Sequence, residues 1–220
     1  PLVIRTPNGA GSQLTAQHSQ SFEGWFAGTP GLKVIAPATP ADAKGLLKSA
    51  IRDDDPVLVI ENLQIYKQRG EVPDDPDFTT PIGRARVARE GGDITLVAHS
   101  YATVRALEVA ERLAGDGIAA EVIDLRSLRP LDMETVARSV AKTNRALSIE
   151  EGWPSYGVSA ELAARIQSAC FNDLDAPVGR VGMAEVPLPY ARNLEQAALP
   201  HEAKIHAAAL EVLDLRPGRA

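Results

Sequence analysis

Short apolar runs alternate along this chain with longer stretches in which apolar residues recur every three or four positions, and that alternation predicts its elements. Leu2-Val3-Ile4-Arg5 reads as a strand at 2–5. A helix is expected at about 19–27, a strand at 32–35, a helix at 40–52 and a strand at 57–60. Within 40–52, Ala43, Leu46, Leu47, Ala50 and Ile51 make one apolar stripe. Pro40 stands near the helix start, where its missing N–H costs nothing, and Asp42 complements the positive end of the dipole.

The second half is patterned more regularly. Ile94 to Ala98 is a buried strand, and Ser100 is a candidate N-cap for a helix of about 101–114 that stops near Gly115 and Gly117. Strands at 120–125, 145–149 and 178–181 alternate with helices at 132–143, 158–169 and 201–213. Asp132 is a candidate N-cap for the first of these helices, and Gly157 precedes the second. Strand and helix in turn are the mark of βαβ units, so an α/β fold with a mainly parallel sheet is expected.

Residues 63–80 interrupt the pattern. Gly70, Pro73, Asp74-Asp75-Pro76 and Asp77 have little periodicity and read as a linker. It separates a segment 1–62 from a segment 81–220 that has elements enough for its own core. Three strands and two helices are thin for an independent core of roughly 60 residues. The first segment therefore reads as part of a domain that leans on further protein.

Composition narrows the function. The 220 residues carry a formal charge of -6, the wrong sign for a phosphate-binding surface, so nucleic acid is not an expected partner. No apolar run approaches the roughly 20 residues that cross a bilayer, and no secretory signal opens the chain. The single Cys170 cannot form an internal disulfide or a zinc site, which fits a reducing compartment. It reads as a small buried group at a helix end.

Four places could carry chemistry. Gly9 and Gly11 lack the third small residue of a dinucleotide fingerprint, since Leu14 stands there, so the loop reads as a turn with positive φ. His18 lies among amides and hydroxyls just before a helix whose Phe22, Trp25 and Phe26 are expected to pack inward. Spacing alone leaves it open between a structural imidazole and an acid–base group. Asp53-Asp54-Asp55 follows a helix C-terminus, where the dipole disfavours anions. Either Arg52 and Lys48 compensate or a hard cation sits there. Glu150-Glu151 closes a strand at the edge where parallel sheets carry sites, with no partner evident from the sequence. His99 has a weaker context, and His201 and His206 read as surface positions.

Taken together, Ala16-Gln17-His18-Ser19-Gln20, Pro30-Gly31-Leu32-Lys33-Val34, Asp42-Ala43-Lys44-Gly45-Leu46 and Ser49-Ala50-Ile51-Arg52-Asp53 resemble the beta subunits of thiamine diphosphate-dependent pyruvate dehydrogenases. The resemblance continues through Arg129-Pro130-Leu131-Asp132, Glu151-Gly152-Trp153-Pro154 and Phe171-Asn172-Asp173-Leu174-Asp175-Ala176-Pro177. It spans nearly the whole chain. The motifs around His18 and Trp153 are closer to the pyruvate enzymes than to those acting on branched-chain 2-oxoacids.

The resemblance implies the C-terminal part of a transketolase-like pyrimidine-binding domain at 1–62, the linker at 63–80 and a transketolase C-terminal-like domain at 81–220. It implies an alpha2-beta2 enzyme in which thiamine diphosphate is shared with an alpha subunit that holds magnesium, and acetyl groups pass to lipoamide on dihydrolipoamide acetyltransferase. The expected partners are thus the alpha subunit, a second beta subunit and that acetyltransferase, with no membrane. The expected compartment is the bacterial cytoplasm, or the mitochondrial matrix in a eukaryote. His18 matches the family's active-site histidine. Leu2, Ala50, Ile51, Asp53 and Asp55 match a potassium site. The cofactor-binding glutamate of the family would lie upstream of Pro1, so this polypeptide with an alpha subunit alone is expected to be inactive. Branched-chain 2-oxoacid or acetoin dehydrogenase subunits, and a non-catalytic dimerisation and docking module, are the alternatives.

Overall fold

A computed structural model describes residues 1–214; the last six residues of the expected 81–220 domain lie outside the described residues. Two sheets are built. The first contains β1 (Leu2–Asn8), β2 (Lys33–Ile35) and β3 (Pro56–Asn62), all parallel, in the order β1-β3-β2. Its fourth strand, β7 (Ser127–Arg129), comes from the second half of the chain and pairs antiparallel with β2. The second sheet has the order β4-β6-β5-β8-β9, from Arg86–Arg89, Ala120–Asp124, Ile94–Ala98, Ala146–Ile149 and Gly179–Val181. It is parallel except for β4, which pairs antiparallel with β6. The expected α/β architecture with mainly parallel sheets is present.

The helices are α1 (Thr15–His18), α2 (Glu23–Ala27), α3 (Pro40–Ile51), α4 (Ser100–Gly115), α5 (Met133–Thr143), α6 (Val158–Ala169), α7 (Arg192–Ala198) and α8 (Glu202–Val212). One face of the second sheet is covered by α4 and α8, through Ala106, Val109, Leu113, Ile205 and Ala209. Its other face meets α5 and α6, and the same apolar cluster contains Val34, Leu58 and Ile60 of the first sheet. The segment that looked too thin to hold a core therefore shares one with the second half of the chain. Its own cluster is small: Leu46 and Ala50 of α3 on Ile35, Val57 and Val59.

Caps explain where the helices stop. Thr39 accepts the Asp42 N–H at 3.1 Å, with Pro40 in the first turn, and Asp132 accepts the Thr135 N–H at the same distance. Gly117 turns the chain after α4 with φ +82°. Cys170 is buried at the end of α6, as its type suggested.

Several expectations are corrected. The helix expected at 19–27 is confined to Glu23–Ala27, and an unexpected one-turn helix over Thr15–His18 comes before it, ending at His18. Trp25 is 72% exposed and Phe26 also faces outward, so that helix buries Glu23 in place of its aromatics. Ser100 is not a cap: the N-cap of α4 is His99, and Ser100 takes φ +50° with its buried hydroxyl unpaired. His206 is buried and pairs with Asp116 at 3.0 Å. The segment 63–80 begins with a 3₁₀ turn (Leu63–Ile65) and then lies across α3. There Ser49 donates to the Thr80 carbonyl at 2.6 Å, and Lys44 and Lys48 reach the carbonyls of Pro73 and Pro76.

Candidate functional site

The carboxyl ends of strands from both sheets deliver polar side chains to one buried cluster. Asn8 ends β1 and Asn62 ends β3, side by side in the parallel register. His99 follows β5, and Glu150-Glu151 follows β8. Glu23, from α2, receives a hydrogen bond from Asn8 Nδ2 at 2.6 Å, and its Oε1 lies 3.7 Å from His99 Nε2. Glu151 accepts the Ala10 N–H and the Asn62 Nδ2 at 2.8 Å. Glu150 accepts the Val158 and Ser159 N–H groups at 3.0 Å each, at the start of α6, where the helix dipole favours a carboxylate.

Burial and pairing compete at each group. Burial disfavours the imidazolium of His99 and the carboxylate of Glu23, yet each holds the other charged. The Glu23 carboxyl ends below its ordinary value and the His99 imidazole above its own. For Glu151, burial wins over the Ala10 and Asn62 bonds and pushes the carboxyl up to about 7. Burial also raises Glu150, against the bonds from Ser159.

A second buried cluster joins the halves on another side. Arg126 meets Asp42 of α3 at 2.8 Å, and Arg86 meets Asp124 at 3.1 Å. Burial, with Asp42 nearby, raises the Asp124 carboxyl despite that arginine.

His18 is reached by a constrained loop. Gly9 has φ +96°, and a Cβ there would collide with the Asn62 side chain. Gln13 and Thr15 take φ values of +56° and +65°, in the left-handed region that non-glycine residues rarely adopt. Two carboxylates from the second half hold this loop. Beside Glu151 on Ala10, Glu195 of α7 accepts the Gly11 N–H at 3.1 Å and the Gln13 N–H at 2.9 Å. His18 itself is exposed, while the hydroxyls of Ser19 and Ser21 beside it are buried and unpaired. Next to the loop lies a cavity of about 70 Å³ bordered by Ala10, Tyr101, Arg105, Glu151 and Gln196.

The acidic turn has a different counterion from the two expected. Lys33 Nζ contacts Asp53 at 2.7 Å and Asp55 at 3.0 Å, holding the Asp53 carboxyl below its ordinary value. Arg52 points instead to Asp77, and Lys48 to Pro76. Leu2 pairs with Pro56, so the start of β1 lies next to Asp55 and the end of α3. The five residues expected to hold potassium thus lie at the amino ends of β1 and β3 and the end of α3, whereas Asn8 and Asn62 stand at the carboxyl ends of the same strands.

Sequence reading missed Glu23, Glu195 and the two asparagines, and gave His99 only a weaker context. Glu150-Glu151 was noticed but without partners. The available signal was position: all but Glu23 and Glu195 stand within two residues of a strand's carboxyl end, where open parallel sheets place their sites.

Residues 1–68 match the transketolase pyrimidine-binding domain, and residues 83–205 match the transketolase C-terminal domain. The chain is 52% identical over its full length to the mitochondrial pyruvate dehydrogenase E1 component subunit beta of Drosophila melanogaster, covering 61% of that protein. It is 51% identical to subunit beta-1 of Arabidopsis thaliana, with 91% of this chain and 56% of that protein covered. For the subunit beta of Rhizobium meliloti the identity is 48%, over 93% of this chain and 45% of that protein. The chain thus spans roughly half the length of these relatives. A solved structure described as a split gene transketolase, an inactive beta4 tetramer, superimposes with a TM-score of 0.75 at 28% identity, covering 98% of this chain and 67% of that one. The chain belongs to the transketolase family, with part of a pyrimidine-binding domain followed by a transketolase C-terminal domain.

Proposed function

We propose that this chain is the beta-subunit portion of an acetyl-transferring pyruvate dehydrogenase, in which His18 serves the transfer of the acetyl group to lipoamide. The observation that carries the reading is the placement of His18. An exposed imidazole ends a loop whose left-handed residues are fixed from the other half of the chain, an arrangement in which strain is retained for a side chain's position. Identity of about half to the pyruvate dehydrogenase subunits supports the substrate class.

In this reading an alpha subunit binds the diphosphate and magnesium, and thiamine diphosphate supplies the electron sink for decarboxylation. The unpaired hydroxyls of Ser19 and Ser21 fit a wall that another polar surface completes. The part of His18 is to place a proton on the lipoyl sulfur as its disulfide opens and to stabilise the charge that develops there. A second beta subunit and dihydrolipoamide acetyltransferase complete the assembly. Mitochondrial and bacterial forms both occur among the relatives, and the compartment in this reading is the matrix in a eukaryote or the cytoplasm in a bacterium.

His18→Ala in the full-length subunit, assembled with alpha, tests this. Acetylation of lipoyl domains is expected to fall about 100-fold or more, whereas pyruvate decarboxylation with an artificial electron acceptor is kept. Equal loss of both, or of neither, removes His18 from the acyl-transfer step. Running the assay with pyruvate, branched-chain 2-oxoacids and acetoin decides the substrate.

The corner at Leu2, Ala50, Ile51, Asp53 and Asp55 is proposed to hold potassium. Asp53 and Asp55 follow a helix C-terminus, whose last carbonyls are free to take a cation, and the single charge of Lys33 leaves part of the acidic turn's charge uncompensated. A melting temperature higher in potassium chloride than in tetramethylammonium chloride, with the difference lost in Asp53→Asn, supports the site. No difference between the salts refutes it.

A further inference from the structure

We infer that Glu195 and Glu151 of the C-terminal domain are positioning residues for the loop that presents His18, an inference that rests on the proposed role of His18. The loop from Gly9 to Thr15 contains four residues with positive φ, and two of them, Gln13 and Thr15, carry side chains. Such backbone relaxes unless its surroundings over-determine it, since L-residues held there are strained. Among the described residues, the N–H groups of Ala10, Gly11 and Gln13 donate to these two carboxylates and to no other acceptor. They are supplied from 141 to 184 residues away in sequence.

The two acceptors divide the task. Glu151 ties Ala10 to Asn62, and so to the end of β3. Glu195 spans the strained residue with one oxygen, accepting from Gly11 on one side and from Gln13 itself. Its side chain is almost wholly buried, and its second oxygen has no partner. An ionisable side chain kept inside the fold with half its acceptor capacity unused is a poor stabiliser. Its geometry is explained by the loop it fixes, because α1 begins at Thr15 and ends at His18.

The C-terminal domain thereby acts on chemistry it does not touch. Displacing a reacting group by about 1 Å can cost on the order of 100-fold in rate, so the clamp has something to protect.

The test uses the full-length subunit in its assembled enzyme, with Glu195→Ala, Glu195→Gln, His18→Ala and the double variant Glu195→Ala/His18→Ala. Hydrogen exchange of peptides covering residues 9–18 is expected to accelerate at least tenfold in Glu195→Ala and to stay near wild type in Glu195→Gln, which keeps an acceptor oxygen. The rate of lipoyl acetylation is expected to fall tenfold or more in Glu195→Ala with KM for the 2-oxoacid within twofold. Adding His18→Ala should then bring no further loss beyond His18→Ala alone, as for groups that act as a unit. Unchanged exchange, or losses that multiply, overturns the inference while leaving His18's own role intact. A His18→Ala enzyme that transfers acetyl groups normally overturns the proposed function first, and with it this assignment.

Discussion

At the scale of single residues, the buried cluster makes stability depend on pH in a definite direction. Glu151 keeps its proton to about pH 7 in the folded chain, whereas an unfolded glutamate releases it near 4.5. Between those values the native state binds the extra proton, so stability falls as pH rises, by roughly 3 kcal/mol at about 1.4 kcal/mol for each pH unit. His99 acts in the same sense, because an imidazole raised by Glu23 contributes stability below its ordinary value that is lost as pH climbs past its folded one. The melting temperature is therefore expected to drop from pH 5 to pH 8, and Glu151→Gln to make that slope shallower; an equal slope in the variant contradicts the account. Gly9→Ala meets both a positive φ and the Asn62 side chain, and should cost roughly 2 kcal/mol or more in denaturant unfolding. The turn at Gly9 was legible in the sequence, because glycine there has a conformational reason. The pairing of Glu23 with His99 was not, because nothing local joins residues 76 positions apart; only the fold brings them to 3.7 Å.

At the scale of elements, long periodic segments were readable and short ones were not. Helices α3, α5 and α6 begin and end within a residue or two of expectation, since stripe, cap and terminating residue agree. Strands β4 and β7 have four and three residues, too few to show a period, and α7 presents a mixed face that buries a glutamate. The acidic turn was read as a problem for its own helix, but its answer, Lys33, sits on a neighbouring strand. Asp42 shows how one residue can serve two levels. It takes part in the α3 cap with Thr39 and also pairs with Arg126 in the second half of the chain. Asp42→Ala is expected to destabilise by about 3 kcal/mol, more than loss of a cap alone, because Arg126 is left without that partner in a mostly buried place. A loss of only about 1 kcal/mol in chemical denaturation would confine Asp42 to capping.

For the whole molecule, the sequence showed the order of a pyrimidine-binding part and a transketolase C-terminal domain but not how the pieces hold together. The halves share an apolar cluster, two buried polar clusters and one sheet. Three-dimensional sharing of this kind leaves no local trace, since each half still patterns as ordinary α/β sequence. The β2–β7 ladder carries a consequence for integrity. A protease cutting in the exposed stretch between Lys67 and Asp77 would sever the covalent thread without opening the ladder. The two fragments should elute together on gel filtration and part only in denaturant. Each fragment expressed by itself would carry a raw seam where its sister strand belongs, and should precipitate until the other is added.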